Sequence, residues 1–324
     1  MAPVDLAARL RVGFARAVVG NERTALALLL GLIGDGHVLI EGVPGTAKTL
    51  FVRVLARLIG APFRRIQFTP DLMPSDVVGT TVWNPQTATF SVRQGPIFAS
   101  VLLADEINRT PPKTQAALLE AMEERQVTID GESMPLPEVF LVCATQNPIE
   151  FEGTYPLPEA QLDRFFVRVQ TEYPSDDEER ALLTRVAHGF DARDLAAIGI
   201  ETVASVEDVL TARRVARGVY VSESLVEYVR AIVARTRRAP ELALGASPRA
   251  GIALLVAAQT HASLEGNDFA TPDDVKAVAS MVLAHRTIVR PEAEIEGATA
   301  ERVVATVLAT VEVPKEATLR VAAT

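Results

Sequence analysis

Residues 42–49, Gly-Val-Pro-Gly-Thr-Ala-Lys-Thr, constrain the fold of this chain more than any other stretch. The apolar run at 37–41 before them predicts a buried strand, and the pattern of 50–59 after them predicts a helix. A glycine-rich turn between a strand and a helix points backbone N–H groups at one spot, which suits a polyphosphate. Lys48 can then reach the β- and γ-phosphates, and the Thr49 hydroxyl can bind Mg²⁺.

Ala47 is the one departure from the G-x-x-x-x-G-K-[ST] pattern, because it stands where the second defining glycine belongs. We expect alanine to fit there only if the backbone has already entered the helix, with a negative φ. The plain alternative is an ordinary strand-to-helix turn with a surface lysine. The strand, the helix and the Lys-Thr pair together favour the phosphate loop.

Composition excludes several other classes of protein. The 324 residues suffice for one large or two ordinary domains, and the formal net charge of −9 argues against a non-specific nucleic-acid binder. Cys143 is the only cysteine, so we expect neither a disulfide framework nor a cysteine-rich metal site. The first residues lack a signal peptide's apolar core, and no apolar run is long enough to span a bilayer, so we expect a cytoplasmic protein.

Two acids at the end of an apolar run form the second informative stretch. Residues 100–104 predict a buried strand, and Asp105 and Glu106 follow it directly. Open α/β sheets bind ligands at the carboxyl ends of their strands. Asp105 is then placed to hold Mg²⁺, and Glu106 to polarise a water for attack on the γ-phosphate. The alternative is a strand end with solvated acids.

Two β-hairpins are predicted beside these motifs. Residues 80–83 and 89–92 form β-like pieces joined by a polar turn, and 126–136 turn at Asp130-Gly131. The single tryptophan, Trp83, lies in the first hairpin. Packing is its expected role, although an inserted hairpin can also present it to a partner.

Two further polar residues have alternative interpretations. Asn147 follows a buried strand at 139–145, where its amide can orient the attacking water; the alternative is an Asx turn before Pro148. Arg164 can pair locally with Asp163 or Glu159, a contact worth little on a surface, or point into a neighbour's site.

A change in composition after residue 173 predicts a domain boundary, because strands become scarce and helical patterns continue to the end. Ser175 and Glu178 predict a capping box at the first of these helices. Ser247 predicts a cap that leaves Arg249 in a first helical turn, where the helix dipole disfavours a cation. Near the N-terminus, Asn21 is expected to cap a helix at 22–33.

The chain resembles the AAA+ ATPases, and within them the MoxR family. The resemblance rests on the phosphate loop, Leu-Leu-Ala-Asp-Glu-Ile-Asn-Arg at 102–109, Ala-Thr-Gln-Asn-Pro-Ile-Glu at 144–150, Glu-Ala-Gln-Leu-Asp-Arg-Phe at 159–165 and Gly-Ala-Ser-Pro-Arg at 245–249. It implies an α/β fold: a P-loop domain with a parallel five-stranded sheet and inserted β-hairpins at 1–173, then a small all-α lid domain at 174–324.

The resemblance also implies the roles of individual residues. Lys48 acts on the phosphates, Glu106 is the catalytic base, Asn147 is sensor 1, Arg164 is an arginine finger acting on the neighbouring subunit's ATP, and Arg249 is sensor 2. Thr49 and Asp105 bind Mg²⁺. The implied nucleotide-binding residues are Val19, Gly20, Gly42, Val43, Pro44, Gly45, Thr46, Ala47, Lys48, Thr49, Leu50 and Asp105.

The implied activity is Mg²⁺-dependent hydrolysis of ATP by a ring, usually a hexamer. It would drive chaperone-like remodelling, maturation or metal insertion of a client enzyme complex, with a partner that carries a von Willebrand factor A domain. The alternatives are a metal-chelatase motor subunit and a nucleic-acid motor on the same sheet. A non-hydrolysing switch is disfavoured by the intact Glu106, Asn147 and Arg164, and a GTPase by the lack of an Asn-Lys-x-Asp motif.

Overall fold

The computed structural model describes residues 1–147 and 153–314, arranged in two compact units, Met1–Arg213 and Arg214–Thr324. The last part of the Ala-Thr-Gln-Asn-Pro-Ile-Glu phrase, from Pro148, lies outside the described residues, as do the last ten residues of the predicted lid domain. In the described ranges, every helix is either too short or too polar to cross a bilayer.

The strands and helices of the described residues are numbered here in chain order. The strands are β1 Val38–Gly42, β2 Phe63–Gln67, β3 Gly79–Asn84, β4 Thr89–Gln94, β5 Val101–Asp105, β6 Gln126–Ile129, β7 Glu132–Pro135, β8 Leu141–Gln146, β9 Val167–Thr171, β10 Leu242–Leu244 and β11 Ile288–Val289. The helices are α1 Pro3–Ala17, α2 Glu22–Ile33, α3 Lys48–Leu58, α4 Pro74–Val78, α5 Pro112–Glu124, α6 Glu159–Leu162, α7 Asp176–Ala187, α8 Val206–Arg217, α9 Glu223–Thr236, α10 Pro248–Leu264, α11 Pro272–Leu283, α12 Pro291–Ile295 and α13 Ala300–Thr310.

A parallel five-stranded sheet in the order β2-β5-β8-β1-β9 forms the core of the first unit. The central strands β1 and β5 are buried along their whole length, as expected where helices cover both faces of a parallel sheet. The predicted five-stranded parallel sheet is therefore confirmed. Because all five strands point the same way, the loops after β1, β5 and β8 leave from one edge.

Both predicted hairpins are present. Strands β3 and β4 pair antiparallel, with Trp83 opposite Phe90, and β6 pairs with β7 through a turn at Asp130-Gly131 in which both residues have positive φ. Trp83 and Phe90 contact each other with ring centroids 4.9 Å apart, yet 48% and 71% of their surfaces stay exposed. Trp83 thus packs across its own hairpin rather than in the core.

The helices α1 and α2 begin the first unit, and the chain between them departs from the predicted cap. Asn21 has φ 61°, in the left-handed region, and its side chain makes no capping hydrogen bond to α2. Asparagine tolerates this backbone region better than most residues, so it closes the turn after Gly20 by its conformation and not by its side chain.

The first compact unit extends beyond residue 173, because the chain returns to the sheet domain after α7. We call residues 193–204 the return segment. The amides of Val203 and Ala204 donate to the carbonyl of Leu58 at the end of α3, and Arg57 Nε donates to the carbonyl of Ile200. This packing places the limit of the compact unit at Arg213.

The second unit is mainly helical, with side-chain caps at four helix starts. Oxygens of Ser222, Ser247, Thr271 and Thr299 accept the capping amides of α9, α10, α11 and α13. One feature differs from the expected all-α lid: β10 and β11 form a short antiparallel pair. Between α10 and α11, His261 Nδ1 lies 2.7 Å from Asp274 Oδ1 and joins the two helices.

His37 is buried in the first unit just before β1. Its Nδ1 accepts the amide of Val142 at 3.1 Å, and its Nε2 lies 3.2 Å from the carbonyl of Met122, so the ring is neutral with the proton on Nε2. Burial, and next the positive charge of Arg125, lower the pKa of His37 from 6.5 to about 3. The folded state therefore requires the neutral ring.

This buried histidine predicts a pH dependence of stability. The folded pKa lies below the unfolded one, so its contribution is complete above pH 6.5 and is lost as the pH falls towards 3. We expect the wild type to lose about 1 kcal/mol of unfolding free energy between pH 7.5 and pH 5.8 through this group, and a His37→Gln variant to lose correspondingly less. Urea unfolding at both pH values measures this difference, with the exposed His188→Gln as control. Identical pH dependence in all three proteins would contradict the assignment.

Candidate nucleotide site

The phosphate loop, residues 42–49, is fixed between β1 and the end of β9. Gly42 has φ 152°, and a Cβ on it would lie 2.0 Å from Thr171 Oγ1, so no side chain fits there. The Thr46 hydroxyl lies 2.9 Å from the same Thr171 oxygen and 3.0 Å from the carbonyl of Val43. In contrast, a Cβ on Gly45 would meet nothing within 4 Å, which leaves open space beside the loop for a phosphate.

Ala47 does not have the predicted backbone conformation. Its φ and ψ are 59° and 17°, in the left-handed region, and α3 starts only at the next residue, Lys48. The expectation of a negative φ is therefore wrong. The loop adopts the path that a glycine would take, and alanine occupies it at a cost of about 1 kcal/mol from the contact of its Cβ with the backbone.

This strain gives a prediction for Ala47→Gly. Glycine relieves the left-handed strain but gains freedom in the unfolded chain, so we expect a net gain of about 0.5 kcal/mol in unfolding free energy. The matched control is Ala116→Gly, an exposed position inside α5, where the same change should cost about 1 kcal/mol. Chemical denaturation measures both. A loss of stability at Ala47 equal to that at Ala116 would contradict the strain.

Lys48, at the start of α3, folds back over the loop. Its Nζ donates to the carbonyls of Gly42 and Val43, the latter at 3.0 Å. Burial lowers the pKa of Lys48, and the carboxylates of Asp105 and Glu106 oppose this shift. The ammonium group therefore lies within electrostatic reach of both acids, although they are distant in sequence. The structure brings together the lysine and the acid pair that the sequence singled out.

Asp105 ends β5 as a buried carboxylate with two charged or polar partners. Its Oδ2 accepts from Arg65 on β2, at 3.0 Å from Nε and 2.7 Å from the terminal nitrogen. Its Oδ1 accepts from the Thr145 hydroxyl of β8 at 2.5 Å. These bonds fix the orientation of the carboxylate at the edge of the sheet.

Glu106 follows in the left-handed region, with φ 58°. Its amide donates to Thr145 Oγ1 at 2.9 Å, and its Oε2 accepts from Gln67 Nε2 at 2.6 Å and from Arg109 at 3.1 Å. Thr145 therefore contacts both acids at once, as a donor to one and an acceptor from the other.

The residues of this site that the sequence analysis missed include Arg65, Gln67 and Thr145. Their common signal is a polar residue at or near the carboxyl end of a strand, on β2 or β8. The register makes the last one inevitable, because Ala104 of β5 pairs with Ala144 of β8 and sets Asp105 beside Thr145.

Other predicted residues lie on the same unit. Asn147 directly follows β8 and is buried. Val19 and Gly20 form the loop after α1, with Gly20 at φ 71°, and Leu50 lies in the first turn of α3. Arg249 is in the first turn of α10 in the second unit, behind the predicted Ser247 cap.

Arg164 contacts the helix α5. It forms an ion pair with Glu123 on α5 at 2.8 Å and donates to the carbonyl of Leu119, also at 2.8 Å. The helix α5 thus holds the guanidinium group through a side chain and a main-chain carbonyl. A cavity of about 520 Å³, lined in part by Glu120 and Gln161, opens beside it.

Comparisons with known proteins agree with this geometry. Residues 37–167 match the model of the ATPase family associated with various cellular activities (AAA), and residues 234–307 match the AAA lid domain. The protein YeaC of Bacillus subtilis is 48% identical over 92% of both chains. Chaperone MoxR1 of Mycobacterium tuberculosis is 43% identical over 93% of this chain and 80% of its own.

A solved structure is similar over almost the whole chain. It is a protein from Cytophaga hutchinsonii that is provisionally named an ATPase. The TM-score is 0.87, the sequence identity is 40%, and the match covers 97% of this chain and 96% of that one. The sheet order, the family matches and the identity to a MoxR protein agree. The chain therefore belongs to the MoxR family of AAA+ ATPases.

Proposed function

We propose that the protein hydrolyses ATP with Mg²⁺ at the phosphate loop and uses the energy to remodel a client protein complex. The observation that carries the proposal is the convergence of Lys48 with Asp105 and Glu106, whose carboxylates act electrostatically on the Lys48 ammonium group. Phosphoryl transfer needs positioning and neutralisation of charge, and these three groups provide a cation for the phosphates and acids for a metal and a water.

The chemistry of the residues fits ATP and Mg²⁺. The open side of Gly45 accommodates a phosphate, and the donors of Lys48, now on loop carbonyls, can turn to phosphate oxygens. The hydroxyl of Thr49 and the carboxylate of Asp105 are oxygen ligands of the kind that Mg²⁺ prefers. When bound, the metal would supply charge neutralisation at the β- and γ-phosphates.

Glu106 is proposed as the general base, with Asn147 orienting the attacking water. Thr145 orients both acids. Its hydroxyl donates to the Asp105 carboxylate, and its oxygen accepts the backbone amide of Glu106. Its removal would disturb both acids without changing the charge of the site. Val19 and Gly20 are proposed to contact the adenine.

The protein is proposed to form a ring, with six subunits as in most rings of this kind. In that ring Arg164 is proposed to complete the ATP site of the neighbouring subunit. Its partner Glu123 keeps the guanidinium at the surface of α5, where 30% of the side chain is exposed. Arg249 is proposed to act on the γ-phosphate from the lid. Hydrolysis would then be coupled to movement of subunits and lid.

The client side of the proposal rests on the family. MoxR1 is named a chaperone. The resemblance to the MoxR family implies an ATPase that works with a von Willebrand factor A domain protein on an enzyme complex. We propose such a partner here, with maturation or metal insertion as the outcome for the client.

The test measures ATP hydrolysis by the purified chain with Mg²⁺ and with EDTA, then with candidate partners. We expect turnover that needs Mg²⁺, and co-purification of the Glu106→Gln protein with a von Willebrand factor A domain protein encoded next to it. The Lys48→Ala protein, which should bind ATP poorly, is the matched control. No hydrolysis under any of these conditions would overturn the ATPase, and stimulation only by DNA or by a tetrapyrrole chelatase would overturn the client class.

A further inference from the structure

The loop after α1 lies at the phosphate end of α3, because the two helices run antiparallel. Gly13 of α1 lies against Leu58 at the end of α3, whereas the ring of Phe14 reaches Phe51 in its first turns, with centroids 5.6 Å apart. The return segment runs beside both helices and agrees: Arg9 bonds the carbonyl of Val203, and Arg16 that of Gly199. The chain therefore leaves α1, at residues 18–20, on the side where the phosphate loop begins α3.

A second connection links the phosphate loop to the same place. Strand β9 ends at Thr171, which contacts Thr46 of the loop. The chain then passes through residues 172–175 into α7, and the Glu178 carboxylate comes to rest on Gly20: a Cβ on this glycine would lie 1.9 Å from Glu178 Oε1. Arg185, farther along α7, bonds the carbonyls of Ala15 and Arg16 at the end of α1. Glu178 thus lies on the Gly20 side of the site.

The two carboxylate oxygens of Glu178 have different surroundings. Oε2 accepts from the amide and the hydroxyl of Ser175, both at 2.8 Å, in the capping box of α7. Among the described residues no donor is found for Oε1, which faces Gly20. The capping box therefore fixes the side chain through one oxygen and leaves the other as an oriented acceptor.

We propose that Glu178 Oε1 accepts a hydrogen bond from the 6-amino group of adenine and selects this base over 6-oxo purines. The inference rests on the proposed function, since it places the base of ATP beside Gly20. An ionised carboxylate is only an acceptor, so it attracts the amino group of adenine and repels the O6 atom of a 6-oxo purine.

Glu178→Gln gives a sharp test, because glutamine preserves the capping box and changes the free atom. If the amide oxygen replaces Oε2 at Ser175, an NH₂ group faces the base, and it suits an O6 acceptor instead of an amino group. Hypoxanthine differs from adenine in having a carbonyl oxygen at position 6 and a proton on N1. ADP and inosine diphosphate therefore report the contact directly.

The measurement is equilibrium competition of ADP and inosine diphosphate against a fluorescent ADP analogue, on the full chain. We expect the wild type to prefer ADP by about tenfold, and Glu178→Gln to reverse the preference to about threefold in favour of inosine diphosphate. Glu178→Ala, which lacks both donor and acceptor, should bring the ratio near one. Glu179→Gln makes the same change of charge on the neighbouring exposed residue and should keep the wild-type ratio.

The outcomes separate this inference from the function on which it rests. If the wild type binds ADP and the Glu178 variants keep its ADP preference, the contact is refuted while the ATPase stands. If the wild type binds neither nucleotide, both fall. A ratio lowered equally in Glu178→Gln and Glu179→Gln would indicate a general effect of charge and would also overturn the proposal. Because a ratio is measured, partial unfolding of a variant does not imitate the expected result.

Discussion

A Glu106→Gln protein is expected to hydrolyse ATP about 10²–10⁴ times more slowly than the wild type while it still binds ATP. Glutamine keeps the shape of the side chain and its place beside Gln67 and Arg109, but it cannot take a proton from the attacking water. Steady-state phosphate release measures the loss, and equilibrium binding of a fluorescent ATP analogue measures the retained affinity.

The control for this variant is Glu292→Gln, an exposed carboxylate on α12 of the second unit, which should leave both quantities unchanged. Undiminished hydrolysis by the Glu106→Gln protein would refute its role as the base. Loss of ATP affinity together with turnover would point instead to disruption of the hydrogen bonds around Thr145.

The second large effect is recovery of activity when two inactive proteins are mixed. Arg164→Ala subunits keep Lys48 but lack the arginine, and Lys48→Ala subunits keep the arginine but bind ATP poorly. If Arg164 acts on a neighbour, each Arg164→Ala subunit beside a Lys48→Ala subunit has a complete site. Loss of an arginine finger costs about 10³–10⁵ in turnover, so any rescued site dominates the signal.

For random equimolar rings, about one interface in four combines the two subunits in the productive order, so the mixture should reach about a quarter of the wild-type rate. Each protein alone, at the same total concentration, is the control. Mixed rings that stay inactive despite confirmed co-assembly would show that Arg164 does not act in trans, and would favour a structural role for its pair with Glu123.

Local patterns were enough to predict most of the fold and the strand, loop and helix positions of Lys48 and the acid pair. Each of these features depends on neighbours in sequence, and the structure has them all: the strand, loop and helix around Lys48, the two acids at the end of β5, and the Asp130-Gly131 turn. The capping box of Ser175 and Glu178 is present for the same reason.

What the sequence did not predict depends on contacts between distant residues. Thr145 lies in the site because of the register in which β8 pairs with β5. Arg164 pairs with Glu123 because α5 packs beside it. The sign of φ at Ala47 was also missed, since the fixed ends of the loop at Gly42 and Lys48 decide it, and not the preference of alanine.

The return segment has a consequence for how this region tolerates change. The guanidinium groups of Arg9, Arg16 and Arg57 donate hydrogen bonds to its main-chain carbonyl oxygens. Two of its amides donate in turn to a main-chain carbonyl at the end of α3. These bonds use main-chain atoms of the segment, so most of its exposed side chains can be exchanged. Exceptions include the buried Ile200 and Ala204, Gly199 with φ 73°, and Thr202, whose hydroxyl donates to the carbonyl of Arg57. A single deletion, however, would shift the carbonyls relative to the arginines that bind them. The length of the segment is therefore more constrained than its sequence.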